Sequence, residues 1–254
     1  MELVTRGRPK AEKPAAPRDA EPESAWDRFW SSARPDEGVL RAEAQEFVRR
    51  LALHLPLERA DRVLDFGCGF GFVAAALAPG VDEIYLWDKH ERVRQLAGAQ
   101  VAAISKVRML DSMPPTPGSS VERFDLILVN SVVQYMTPDE LAAALSLWSG
   151  LLAPTGRLVL SDLIPPRHPV WRDLFSLLAF EPLGQLRRTG RELRAYLGAR
   201  LHNGLRPVDP TELEALAATF GLRMQRLPEN LTHFSGRFAV VLTPAEAPRS
   251  RRTG

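Results

Sequence analysis

Three glycines stand at alternate positions, Gly67, Gly69 and Gly71, at the end of the apolar run VLDF. Glycine loses more backbone freedom on folding than any other residue, so this spacing before a helix-like stretch points to a tight turn that something approaches closely. Polar side chains surround it in sequence. Asp65 precedes the turn, and Asp88 follows about twenty residues on, at the end of a second apolar run. Asp111 and Ser112 come after a third run, and Asn130 ends a fourth. A turn of this kind leaves backbone N–H groups and a helix N-terminus facing a ligand's anionic group. A carboxylate closing the second strand can accept from both hydroxyls of a ribose. The order Asp-Phe-Gly-Cys-Gly-Phe-Gly differs from the G-x-G-x-x-G of dinucleotide folds.

Other groups could act on a second substrate. His233 lies in the loop between the last two strand-like runs, and His168 follows the fifth. Histidine is the side chain best suited to proton transfer near neutral pH, so His233 is the candidate catalytic base, ahead of His168. His90 borders the second ligand-edge turn, and Gln134 and Tyr135 follow the fourth strand. Trp26, Phe29 and Trp30 could form a lid or simply pack in a core. Arg187, Arg188, Arg191, Arg194, Arg200 and Arg206 crowd one stretch with Glu192 as the offset. Arginine suits forked contact with carboxylate or phosphate, although charge runs are often solvated faces.

Positioning these residues requires a sheet with its strand ends on one edge. RVLDFG, EIYLWD, SKVRML, FDLILVN and GRLVLSDL read as five strands, and helical stretches separate them. FDLILVN is apolar throughout, as a central parallel strand must be. TPDELAAALSLWSGLL is a helix with Thr137 as N-cap and Pro138 at its first position. Alternation with short connections predicts a doubly wound, Rossmann-like α/β sheet, mostly parallel. From about residue 165 the rhythm breaks, and 165–206 reads as a helical cap insert emerging at the ligand edge. A capped helix after Asp209 follows, then LRMQRL and GRFAVVLT as an antiparallel pair that supplies the last strand.

Composition bounds the rest. Hydrophobic residues make up 45% and charged residues 25% of 254, ordinary for a globular chain. A net charge of +2 gives no electrostatic reason to expect nucleic acid. The single cysteine, Cys68, excludes an intrachain disulfide and a cysteine-rich metal site, and no metal ligand set is expected. It fits a reducing compartment, and the expected location is cytoplasmic. No run reaches the ~20 apolar residues of a membrane helix, and the N-terminus has no signal-like apolar stretch. Residues 1–24 and 245–254, rich in proline, alanine and charge, are expected to be disordered tails around one domain at 25–244.

VLDFGCGFG, YLWDKH, RMLDSM and FDLILVNSVVQYM together resemble the four motifs of the class I S-adenosylmethionine-dependent methyltransferases, over residues 60–163. The resemblance implies S-adenosylmethionine as cofactor. It implies that Asp65, Gly67, Cys68, Gly69 and Gly71 line its methionine end. Asp88 would hold the ribose, Asp111 and Ser112 would face the adenine, and Asn130 would lie beneath the sulfonium. NSVVQYMTPDEL, LSDLIPP and NLTHFSGR resemble a bacterial branch found with glycan or secondary-metabolite biosynthesis. The function expected from it is methylation of a small-molecule acceptor on oxygen. The arginines suggest an anionic acceptor, and the apolar VWRDLFSLLAF beside them would also suit peripheral contact with an anionic lipid surface. The alternatives are an RNA or protein methyltransferase, or a module that binds the cofactor without catalysis. Oligomeric state is left open.

Overall fold

The computed structural model describes residues 37–57, 62–113, 123–169, 171–173, 175–176 and 205–245. The expectations for both tails, for Trp26, Phe29 and Trp30, and for the arginines from 187 to 200 lie outside these residues.

Seven strands form one sheet: β1 (Arg62–Phe66), β2 (Glu83–Trp87), β3 (Val107–Met109), β4 (Phe124–Asn130), β5 (Leu152–Leu163), β6 (Leu222–Arg226) and β7 (Phe238–Pro244). Their order is β3-β2-β1-β4-β5-β7-β6. All neighbouring pairs from β3 to β5 are parallel, and β7 runs antiparallel to both β5 and β6. The direction of travel through the sheet reverses between β1 and β4, which makes the carboxyl ends of these two strands the ligand crevice of a doubly wound fold.

The alternation of side chains along each strand fills two cores. Leu64, Phe66, Ile127, Val129, Leu158 and Leu160 face one side, with Leu145 and Trp148 from helix α4 (Pro138–Leu151) and Leu213 from α5 (Pro210–Thr219). Val63, Leu126, Leu128 and Val159 face the other, with Phe47 and Leu51 of α1 (Glu37–His54), Leu77 of α2 (Phe72–Leu77) and Ala97 of α3 (Glu91–Val101). Burial on both faces is why β4 is apolar at successive positions rather than alternate ones. Helix α4 starts with a full capping box: Thr137 Oγ1 accepts from Glu140 N at 3.2 Å, and Glu140 Oε2 accepts from Thr137 N at 2.7 Å. Asp209 caps α5 through Thr211 N at 2.8 Å.

Helix α2 stops at Leu77 and continues as one 3-10 turn, Ala78–Gly80, because Pro79 cannot donate within a longer helix. One boundary differs from the sequence reading. β5 begins at Leu152 rather than near Gly156, because its first residues extend beside Phe124 before the register shifts. Of the insert, 171–173 and 175–176 are helical. Its ends are tied to the carboxyl edge: Val208 N donates to Ile164 O at 2.7 Å, and Arg206 N donates to Gln134 O at 2.8 Å.

Candidate active site

The turn from β1 into α2 is built by backbone bonds to the neighbouring strand. Gly67 N and Cys68 N both donate to Trp87 O, at 2.7 and 3.1 Å, and Gly71 N donates to Cys68 O at 2.9 Å. This path requires left-handed backbone at Gly67, Gly69 and Gly71, with φ of 76°, 52° and 77°. At Gly67 space is also short: a methyl there would overlap Val132 Cγ2 of the turn after β4.

Asp88, 7% exposed, holds the turn in place from the end of β2. Its Oδ2 accepts from Gly69 N at 3.2 Å, and its Oδ1 accepts from His90 N at 3.0 Å. Arg94 donates to the carbonyl of Asp88 at 2.7 Å. Burial raises the Asp88 carboxyl above its ordinary range, against the pull of those two N–H donors. Each oxygen keeps a lone pair for a hydroxyl partner. Asp65, within β1, is 3% exposed, and its Oδ2 has no hydrogen-bond partner among the described residues. Burial, and then the nearby charge of Asp88, pushes its carboxyl up to about 7. Burial likewise drives the Cys68 thiol far up, so it stays protonated and serves as a small wall of the turn.

Asn130 ends β4, and its Oδ1 accepts from Ser161 Oγ at 2.8 Å. Asp111 and Ser112 are exposed just past β3. The structure therefore gathers Asp65, Gly67, Cys68, Gly69, Gly71 and Asp88 into one turn, puts Asn130 on the adjacent strand end, and leaves Asp111 and Ser112 at the outer rim of the same edge.

His233 sits in the β6–β7 loop, at this edge but against α1. Its Nδ1 lies 3.3 Å from Glu43 Oε1 and its side chain is 11% exposed. Its ring tilts on Phe234 with centroids 4.1 Å apart. Burial holds the imidazole well below its usual range, outweighing the opposing charge of Asp162. His168 is buried beside Asp173, with Nε2 2.7 Å from Oδ1. Gln134 is 1% exposed in the turn after β4. Asp162, Asn230, Thr232 and Arg237 were not singled out in the sequence as site residues, yet buried Asp162, Asn230 and Arg237 form a polar cluster here with half-buried Thr232. No short window of the sequence carried that signal, because Asp162 and Arg237 meet only through the tertiary structure. On the opposite edge of the sheet, an open cleft is lined by Arg62, Glu83 and Asp125. There the Arg62 guanidinium donates to Glu83 Oε2 at 3.3 Å, and the Arg62 backbone N–H donates to Asp125 Oδ2 at 2.9 Å.

An open α/β sheet with a glycine turn at its switch point and a buried acid closing the second strand defines a nucleoside-binding fold. The profile of the methyltransferase-domain family matches residues 38–227, and the chain belongs to that family: it is a class I S-adenosylmethionine-dependent methyltransferase. Among curated proteins, chondramide synthase of Chondromyces crocatus is 32% identical over 202 residues, covering 75% of this chain and 5% of the synthase. Protein-L-isoaspartate O-methyltransferase of Methylorubrum extorquens is 31% identical over 144 residues, covering 55% of this chain and 57% of that one. The chain thus spans only part of the length of either. Among solved structures, magnesium protoporphyrin IX methyltransferase of Synechocystis, with bound S-adenosylmethionine, superposes with a TM-score of 0.55 at 15% identity. It covers 87% of this chain and 89% of that one. Mitomycin 7-O-methyltransferase superposes at 0.57 and 19%, covering 85% and 60%. These two share the fold.

The residues present fit S-adenosylmethionine. Asp65 offers a buried oxygen that lacks a donor among the described residues, a suitable partner for an ammonium group. The glycine turn leaves room for close approach to its backbone. Among the described residues no helix is long and apolar enough to cross a membrane.

Proposed function

We propose that this enzyme methylates an oxygen of a small-molecule acceptor in glycan or secondary-metabolite biosynthesis. The observation that carries the reading is His233, a half-buried imidazole on the ligand edge with its Nδ1 3.3 Å from Glu43 Oε1. A hydroxyl must lose its proton as it attacks, and a neutral imidazole oriented by a carboxylate can take it. Similarity to a segment of chondramide synthase supports a place in metabolite assembly.

In this reading Asp65, Gly67, Cys68, Gly69 and Gly71 hold the amino-acid end of the cofactor. Asp88 would take the ribose, Asp111 and Ser112 the adenine, and Asn130, steadied by Ser161, the sulfonium end. Bound S-adenosylmethionine supplies an already activated methyl group. The chain's own tasks are alignment, exclusion of water and removal of the hydroxyl proton, and alignment alone is worth ~7–11 kcal/mol. The described ends of 165–206 lie at the same edge, which supports this segment as the acceptor's cap, and its arginines favour an anionic acceptor. Trp171 and Phe175, 62% and 71% exposed at the start of the insert, suit peripheral lipid contact. The likeness to protein-L-isoaspartate O-methyltransferase favours a second reading, a protein carboxyl as acceptor.

The test is formation of S-adenosylhomocysteine with a panel of phenols, hydroxy acids, phosphorylated sugars and an isoaspartyl peptide. Turnover with a hydroxylated small molecule, lowered ~10²–10⁴-fold in His233→Asn with unchanged cofactor affinity, is expected. Turnover with the peptide alone, or full activity of His233→Asn across pH, overturns the reading.

A further inference from the structure

Three described non-glycine residues have left-handed backbone: Ser131, Asp162 and Arg167, with φ of 57°, 66° and 60°. All lie at, or a few residues beyond, the carboxyl ends of β4 and β5. Such conformations persist where the surroundings over-determine them. For Ser131 and Asp162 the surroundings are a buried charge cluster that no step above uses.

A register shift between Leu160 and Leu163 turns Asp162 into the protein. Its Oδ1 accepts from Thr232 Oγ1 at 2.7 Å and Asn230 Nδ2 at 3.3 Å. Its Oδ2 accepts from Ser131 Oγ at 2.8 Å, Gln134 Nε2 at 3.4 Å and Arg237 Nη1. Arg237 then reaches the other way, donating from Nη2 to Asp173 Oδ2 at 2.9 Å and from Nε to Asp173 Oδ1 at 3.4 Å. Asp173 meets His168, whose ring lies flush against Gly236, where a methyl would overlap its Cε1. Ser176 Oγ lies 3.4 Å from Ser235 Oγ.

The cluster joins three pieces distant in sequence: the turn after β4, the first turns of the insert, and the β6–β7 loop. Val132, in the same turn as Ser131, packs beside Gly67 of the cofactor turn. Gln134 Oε1, also in that turn, is buried without a hydrogen-bond partner among the described residues, an oxygen ready for an outside donor. Buried ion clusters of this kind return little net stability for the desolvation they require, so their better-attested use is to specify one arrangement.

We infer that Arg237 is a positioning residue for methyl transfer: forked between Asp162 and Asp173, it seats the start of the insert against the turn after β4 and so sets the acceptor side of the site. This rests on the reading of the insert as acceptor cap. A lysine could not replace it, since a point charge cannot hold two carboxylates in a planar fork.

The test uses the full chain with Arg237→Lys, Asp173→Asn and the double variant. Hydrogen exchange over 164–176 is expected to quicken at least tenfold in each single variant, and no further in the double, because one shared bond is lost. S-adenosylhomocysteine affinity by calorimetry should stay within threefold. On the phenols, hydroxy acids and phosphorylated sugars of the panel, KM should rise at least tenfold with kcat within threefold. Unchanged exchange in Asp173→Asn overturns the fork; that variant keeps the Arg237–Asp162 pair and decides the matter if Arg237→Lys does not fold. Fast exchange with unchanged KM overturns the acceptor cap and the positioning role with it. Cofactor affinity falling in step with exchange overturns both in favour of general scaffolding.

Discussion

Asp65 spends the cofactor-free state as a buried carboxyl beside Asp88, lifted from 3.8 to about 7. A folded pKa above the unfolded one means a stabilising contribution that is complete below the unfolded value and lost as pH rises through the folded one. Asp65→Asn should therefore raise the Tm of the cofactor-free protein by an amount that grows between pH 4 and 7 and levels off above, followed by calorimetric scans across pH. An ammonium group would bind the ionised form, so at pH 6 the wild type should release close to one proton on binding S-adenosylmethionine. Calorimetry in two buffers of different ionisation enthalpy reads this directly, and Asp65→Asn should abolish it while weakening binding. Gly67 is constrained twice, by φ 76° and by Val132. Gly67→Ala should cost about 2–4 kcal/mol, combining left-handed strain with overpacking. Gly67→Ala/Val132→Ala should recover only the overpacking part, read from denaturant midpoints.

At the scale of elements, helix α4 is specified locally. Its capping box is complete and its apolar stripe places Ala144, Leu145 and Trp148 in the core. Thr137→Ala should cost about 1 kcal/mol in urea unfolding, because the cap satisfies backbone donors of the first turn of α4. The segment that opens the insert is specified from elsewhere. Its helical residues 171–173 and 175–176 are brief, and Asp173, His168 and Ser176 are held by partners in the β6–β7 loop, about 60 residues later.

Across the whole molecule, the sheet's two cores depend on residues from α1 to β7, and the first 24 residues have a composition that cannot bury a comparable surface. Deleting them should leave Tm within one or two degrees and S-adenosylhomocysteine affinity unchanged; a large drop would show that they pack on the body. The carboxyl edge, by contrast, is one connected surface. It runs from the glycine turn through Val132 and Ser131 to Asp162, Arg237 and the insert.

The strands, the capped helices, the glycine turn and Asp88 were legible because each is written in a short window: a run of apolar residues, Thr137-Pro138, three alternate glycines, an acid closing a strand. Local sterics and hydrogen bonding decide such features, and they carry over from sequence to structure with shifts of a few residues, as at Leu152. The placement of His233 against Glu43, and the meeting of Asp162, Asp173 and Arg237, could not be read that way. Asp162 and Arg237 are 75 residues apart. Nothing near either of them in the chain marks it as buried. Only the antiparallel insertion of β7 beside β5, with its register shift at Leu160–Leu163, brings the carboxylate and the guanidinium into the same dry space. There the cost of leaving either charge unpaired enforces their contact.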